Sequence, residues 1–189
     1  MYLGGINMKN LEYAIPKQIT AEDIKRVRGM FKMSQNDFAH IIGCSKPTIE
    51  RWESGKEFVS GPAAVLIFMI EQNPDFIYKM IIPKKEYPLS LYYMYKQMIC
   101  TIIDVDVLEQ KVKIINYTDK LMFRAFGSNL NPTFDDYNEF LKSRCFPETR
   151  DKIKVVLADL DLPFYDPFII IQKTEGRMAE DNFWIKIED

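Results

Sequence analysis

The chain reads SQNDFAHIIGCSKPTIERWESGK over residues 34–56, and its small, turn and apolar residues stand there at helical spacing. Ala39 is small where two helices would cross closely, and Gly43, four residues later, stands where a tight turn needs a positive φ. Ile49 and Trp52 are three residues apart, so both lie on the inner face of a second helix. The stretch therefore predicts two helices joined by a tight turn, an arrangement that reads DNA.

Helix start signals continue on both sides of this pair. Small polar side chains at N-cap positions and prolines in a first turn are typical of helix N-termini. Five such signals follow one another along the chain: Thr20, Ser34, Ser45, Pro62 and Pro74. They predict an all-α domain of five helices over residues 19–82, in which the second and third helices are the reading pair.

The composition is that of a globular protein. The 189 residues are 47% hydrophobic and 13% aromatic, which is enough to bury the cores of one or two domains. The formal net charge of -2 excludes a histone-like polycation, so any contact with nucleic acid must come from a local patch.

Cysteine usage and hydropathy indicate the compartment. Cys44, Cys100 and Cys145 are far apart and lack CxxC spacing, which predicts reduced thiols with neither a disulfide nor a zinc site. The longest apolar run, residues 63–70, is too short to cross a bilayer, and the N-terminus lacks the layout of a signal peptide. We expect a cytoplasmic protein that binds no membrane, metal or cofactor.

The sequence pattern changes beyond the helical domain. Residues 1–18 lack clear periodicity and are expected to form a flexible lead-in, while the prolines and charges of residues 83–88 indicate a linker. Residues 89–189 then predict a small α+β domain, so the overall fold class is α+β. Its predicted elements are a hairpin of Met98–Val105 with Lys111–Tyr117, about three helices starting at Thr133, Thr149 and Asp166, and a closing strand, Phe183–Ile187.

Two short runs after the helix pair carry a family resemblance. WESG (residues 52–55) and SGPA (residues 60–63) are similar to a W-E-x-G-x-x-x-P-S-G-P-A pattern of HigA- and MqsA-like antitoxins. Val59 stands where that pattern usually has proline, which affects only a loop. Residues 19–81 thus resemble a Xre/Cro-type repressor domain, the five-helix fold of phage lambda repressor and Cro. No cysteine precedes Cys44 in the sequence, so we expect no counterpart of the zinc-binding half of MqsA.

This resemblance implies a set of DNA contacts in the second and third helices. The residue that opens the second helix usually touches a phosphate, and the N-terminal residues of the third enter the major groove. Lys46 and Arg51 suit guanine edges, and Lys56 is placed for a phosphate. The implied residues are Gln35, Ser45, Lys46, Pro47, Thr48, Glu50, Arg51 and Lys56. Because the domain's charges nearly balance, one protomer would bind modestly, and a homodimer on a palindromic operator is expected.

The C-terminal half carries a second resemblance. RCFPETR (residues 144–150) and GRMAEDNFW (residues 176–184) are similar to runs in regulators encoded beside HipA-like kinase toxins, which implies a toxin partner of that kind. If residues 92–95 lie in a helix, their four aromatic or Met side chains cannot all point inward. The candidate partner-binding residues are Tyr92, Tyr93, Tyr95, Arg144 and Arg150, of a composition usual in binding hot spots. Alternatively, the tyrosines are core residues and the arginines pair with nearby acids.

Patterns of catalysis are missing from the sequence. The only histidine, His40, lies in the helical domain, and neither a Ser-His or Cys-His arrangement nor a phosphate-binding glycine loop occurs. We therefore expect a protein that is not an enzyme but a DNA-binding regulator, the antitoxin and autorepressor of a toxin–antitoxin operon. Two alternatives remain open: a simple repressor whose C-terminal domain senses a ligand or dimerises, and a nuclease that gathers acidic residues around a divalent metal.

Overall fold

The computed structural model describes residues 12–188. The chain divides into two compact units, with the boundary between Ile82 and Pro83. Of the expected lead-in, residues 1–18, the first eleven lie outside the described residues. At its other end, Gln18 already belongs to a strand.

Five helices make up most of the first unit over residues 12–82. Their bounds are α1 Ala21–Met30, α2 Gln35–Ile42, α3 Lys46–Glu53, α4 Pro62–Gln72 and α5 Asp75–Tyr78. Apolar side chains at helical spacing fill the space between them, and those with the lowest exposure are Ile24, Val27, Phe38, Ile49, Ala64, Ile67, Ile70 and Ile77. The five predicted helices are confirmed, although α5 is shorter than the sequence pattern indicated.

Local side-chain chemistry sets the ends of the helix pair. The Ser34 hydroxyl accepts a hydrogen bond from the Asp37 backbone N–H at 3.2 Å, which starts α2. Gly43 ends α2 in the left-handed region, at φ 75° and ψ 34°, and the next amide, that of Cys44, donates to the Ala39 carbonyl at 2.9 Å. This is the tight turn that the glycine predicted.

The first unit is not all-α as expected, because it also holds a two-stranded sheet. Strand β1 (Gln18–Ile19) pairs antiparallel with β2 (Val59–Ser60). Ile19 and Val59 are both buried, so the pairing closes one side of the helical core. Strands of two residues are too short to show the alternation on which a sequence prediction relies.

The second unit, described over residues 83–188, is built on a four-stranded antiparallel sheet. Its strands are β3 Leu89–Tyr95, β4 Met98–Asp106, β5 Lys111–Asn116 and β6 Phe183–Glu188, in the order β5-β4-β3-β6. The predicted hairpin is confirmed, with Val105 opposite Val112, and so is the closing strand. The unit is therefore α+β, as its sequence indicated.

Residues 91–95 lie in strand β3, so the helix considered for residues 92–95 is not formed. Leu91 and Tyr93 are buried toward the helices, while Tyr92 points to the opposite face of the sheet. β3 is a central strand, paired on both sides, and both of its neighbours come later in the chain. Aromatic side chains suit this half-buried pleated surface.

Three helices cover one face of this sheet over residues 83–188. They are α6 Phe134–Ser143, α7 Ile153–Asp159 and α8 Pro167–Thr174, with a 3-10 turn at Leu121–Phe123 before them. The second of the predicted helices begins at Ile153 and not at Thr149, after an N-cap residue, Lys152, at φ 55°. The expected linker, residues 83–88, contacts this unit, since the Glu86 backbone N–H donates to the Asp104 carboxylate at 2.9 Å.

A buried arginine ties the end of α6 to the loop before β6. Arg144 is only 7% exposed and forms a bidentate pair with Asp181, with N–O distances of 2.7 and 3.1 Å. Its Nη2 also donates to the carbonyl of Gly176 at 2.8 Å and to that of Phe183 at 3.1 Å. Arg144 is thus a structural residue of the second unit.

No helix within residues 12–188 is both long enough and apolar enough to cross a membrane.

Candidate nucleic-acid interface

Helix α3 presents a polar face to solvent. Ser45, Lys46 and Pro47 at its start are exposed, as are Glu50 and Arg51 one turn later. Thr48 is half-buried, and its hydroxyl lies 2.9 Å from that of Ser45. On the opposite side, Ile49 is fully buried in the core. The helix therefore offers the exposed end that can enter a major groove.

An ion-pair network holds α3 against α1 and α2. Glu53, 7% exposed, accepts from Arg28 Nε at 2.7 Å and from Arg28 Nη2 at 3.1 Å. Gln35 Nε2 donates to the same carboxylate at 2.7 Å, and Arg28 Nη1 donates to the Met33 carbonyl at 2.9 Å. One carboxylate thereby fixes the relative position of three helices, and with it the orientation of the exposed face.

The network also changes the acidity of Glu53. Burial by itself raises the pKa of this carboxyl group, but the hydrogen bonds from Arg28 and Gln35 outweigh it and bring the pKa below the ordinary value of 4.5. Glu53 is therefore ionised at neutral pH, as the ion pair with Arg28 requires.

Both cations of α3 lie beside acids. Arg51 Nε is 2.8 Å from Glu57 Oε1, and Lys46 Nζ is 3.4 Å from Glu50 Oε1. All four side chains are about half exposed, between 48% and 60%. Lys56, just beyond the helix, is exposed as well.

Two comparisons with known proteins bear on the chain. Residues 24–62 match the helix-turn-helix family. Those residues form a helix-turn-helix. The chain is also 32% identical over 57 residues to antitoxin HigA-2 of Vibrio cholerae serotype O1 (strain ATCC 39315 / El Tor Inaba N16961). That similarity covers 30% of this chain and 55% of the antitoxin, so the chain spans about half the length of the curated relative that it matches.

The helix-turn-helix brings together most of the residues that the sequence singled out. α3 and its N-cap hold Ser45, Lys46, Pro47, Thr48, Glu50 and Arg51, and Lys56 follows in the next loop. Gln35 differs, because its side-chain nitrogen is held by Glu53. At the first position of α2, its backbone N–H is the group suited to a phosphate.

Trp52 is half-buried against the helical core, on the inner side that its spacing predicted. The most enclosed polar position on α3 is its neighbour Glu53. Sequence reasoning missed the roles of Arg28 and Glu53, although spacing gave a signal for both. Glu53 follows Ile49 by four residues and Arg28 follows Ile24 by four, so each lies on an inward-facing helical row.

The candidate partner-binding residues of the second unit do not form one surface. Tyr93 is 7% exposed and stacks on Phe183 at 4.9 Å, so it is a core residue, as the alternative interpretation proposed. Tyr95 is half-buried in the same aromatic cluster. Arg144 is buried with Asp181, which contradicts a contact with a partner. Tyr92, on the other face of the sheet, and Arg150 retain surface exposure.

Within residues 12–188, no three His, Cys, Asp or Glu side chains are grouped so that they could hold a metal ion. Burial raises the pKa of the Cys145 thiol to about 12, so this cysteine is an un-ionised packing residue.

Proposed function

We propose that this chain is a sequence-specific, DNA-binding transcriptional regulator. The observation that carries the proposal is the polar, exposed start of α3 on a helix that the buried Glu53 network holds rigidly. A reading surface needs this combination, because base contacts discriminate only when side chains are held in register with the groove. The helix-turn-helix match over residues 24–62 supports the same function.

In the proposed complex, α3 lies in the major groove. Lys46 and Arg51 face guanine edges, and Pro47 and Thr48 meet thymine methyl groups. The Gln35 backbone N–H and the Lys56 ammonium bind phosphates on either side. Two protomers bind the two halves of a palindromic operator, because one domain whose charges nearly balance gains little from phosphates.

We further propose that the protein is the antitoxin and autorepressor of a toxin–antitoxin operon. The similarity to antitoxin HigA-2 supports this more specific role. The toxin partner, on the resemblance of residues 144–150 and 176–184, is a HipA-like kinase that binds the second unit. Tyr92 and Arg150 are the surface residues retained for that contact, and Arg150 lies over the ring of Phe146 at 6.0 Å.

A second candidate function has one observation in its favour. The second unit contains an open, mostly apolar cavity of about 580 Å³. It lies between α6 and α8 and is lined by residues that include Phe134, Leu141, Asp166 and Phe168. A cavity of this size and character suits a small ligand, so a simple repressor that senses a metabolite is the alternative to an antitoxin.

Fluorescence anisotropy with labelled duplexes tests DNA binding. The probes are the region upstream of the protein's own reading frame and a random-sequence duplex. Arg51→Ala should lose about 1–3 kcal/mol of binding free energy on the upstream duplex if Arg51 reads a base. Lys56→Ala should instead weaken binding to both duplexes equally. Lys111→Ala, which removes an exposed lysine from the second unit, is the control and should change neither. Wild-type protein that binds neither duplex at low salt would contradict the function.

Co-expression with the neighbouring open reading frames tests the antitoxin role. The full-length chain should co-purify with a kinase-like product, and Tyr92→Ala with Arg150→Ala should weaken that capture while the thermal transition stays unchanged. A chain that co-purifies with no neighbour, yet gains thermal stability with a small metabolite, would favour the ligand-sensing repressor instead.

A further inference from the structure

The reading helix carries its own acids beside its cations. α3 contains two cations, Lys46 and Arg51, and each has a carboxylate partner within 3.4 Å, Glu50 and Glu57 respectively. Glu50 lies on α3 itself and Glu57 in the loop that follows. The cationic charge that would meet DNA is therefore offset at the surface where the DNA would lie.

Such pairs add little stability, because about half of each side chain is in water. Their consequence lies in what they do to an approaching phosphate. A phosphate that binds Arg51 or Lys46 either draws the cation from its carboxylate or brings a second negative charge close to that carboxylate. The gain from neutralising a phosphate is then reduced, whatever the DNA sequence.

A base edge makes a different demand on Arg51. The contact with Glu57 uses Nε, and the guanidinium has two terminal nitrogens that form the bidentate fork for guanine O6 and N7. Arg51 can therefore keep Glu57 while it reads guanine, and the guanine edge, which carries no net charge, is not repelled by that carboxylate. Glu50, exposed one residue before Arg51, can itself accept from a cytosine amino group.

We propose that Glu50 and Glu57 are specificity-determining residues that suppress phosphate-driven binding to non-operator DNA. The inference rests on the proposed DNA-binding function and names the residues that set its discrimination. On a plot of log affinity against log salt concentration, each neutralised phosphate contributes about 0.9 to the slope. Over a tenfold change in salt concentration this corresponds to about eightfold in affinity. Freeing one cation should therefore raise non-operator affinity by up to that factor.

The experiment uses the full-length chain and a random-sequence duplex of about 30 base pairs, long enough for two half-sites one turn apart. Glu57→Gln and the double variant Glu50→Gln/Glu57→Gln remove charge but keep an oxygen that can accept from Arg51 or Lys46. Non-operator affinity should rise several-fold per substitution, and the salt slope should steepen by about 0.9 for each freed cation. Affinity for the upstream duplex should rise less, so the ratio between the two duplexes should fall.

Glu139→Gln is the matched control. Glu139 is an exposed acid paired with Lys142 at 2.8 Å in the second unit, so its replacement changes net charge by as much as Glu57→Gln does but outside the helix-turn-helix. It should leave the salt slope at the wild-type value. If Glu57→Gln and Glu139→Gln bind the random duplex alike, the inference is overturned. If wild-type protein and all variants fail to bind either duplex at low salt, the proposed function itself has failed.

Discussion

Replacing Glu53 with methionine is the sharpest test of how the reading helix is held. The change removes the buried carboxylate but keeps much of the volume, and it leaves Arg28 with the Met33 carbonyl as its remaining protein acceptor in the network. Removing one partner of a buried ion pair costs about 3–5 kcal/mol. Because the Arg28 side chain is 25% exposed and water can reach it, we expect about 3 kcal/mol. That loss lowers a urea midpoint by about 1–3 M.

The assay is urea unfolding of the full-length chain followed by Trp52 fluorescence, with Trp184→Phe as the background. Glu71→Ala is the control, since it breaks the exposed pair with Arg26, at 2.8 Å, and should cost under about 1 kcal/mol. Arg28→Met combined with Glu53→Met should recover much of the loss, because no charge is left buried alone. A Glu53→Met protein within about 1 kcal/mol of the background would refute a structural role for the network.

Three further predictions concern the two units. Arg144→Met should destabilise the second unit by about 3 kcal/mol, seen in Trp184 fluorescence, because it leaves Asp181 unpaired. The pKa of Glu53 is lower in the folded than in the unfolded protein, so the stability that its carboxylate adds is complete above the ordinary pKa of 4.5 and is lost as pH falls through the folded value. When melting temperature is measured against pH, it should therefore fall less steeply on the acid side in Glu53→Gln than in wild type. Gly43→Ala, at φ +75°, should cost about 1–2 kcal/mol by thermal unfolding, whereas Gly29→Ala within α1 should not destabilise.

Local chemistry made the helix-turn-helix predictable from sequence. Gly43 ends α2 through its own left-handed backbone, and Ser34 starts α2 by capping the amide of Asp37, three residues later. Both effects stay within four residues of the side chain or backbone that causes them. The apolar spacing of Ile49 likewise needs no knowledge of the rest of the chain. Strands β4 and β5 were identified for the same reason, since both are rich in Ile and Val and only a short polar gap separates them.

Contacts between distant residues were not predictable in this way. Arg28 meets Glu53 25 residues along the chain, and Arg144 meets Asp181 37 residues along. Their exposed or buried state depends on the packing of whole helices, which spacing alone does not determine. Strand β3 was not predicted because residues 91–95 are aromatic and apolar on both faces, a pattern that helix and central strand share.

The most direct test of the account is the affinity of the Lys46→Ala/Arg51→Ala double variant for the duplex upstream of its own gene. If the exposed end of α3 reads DNA, the variant should lose about 2–6 kcal/mol of specific binding relative to wild type, while its thermal transition stays unchanged because both side chains are exposed. Wild-type affinity and wild-type discrimination against random DNA in that variant would contradict the assignment of α3 as the reading helix.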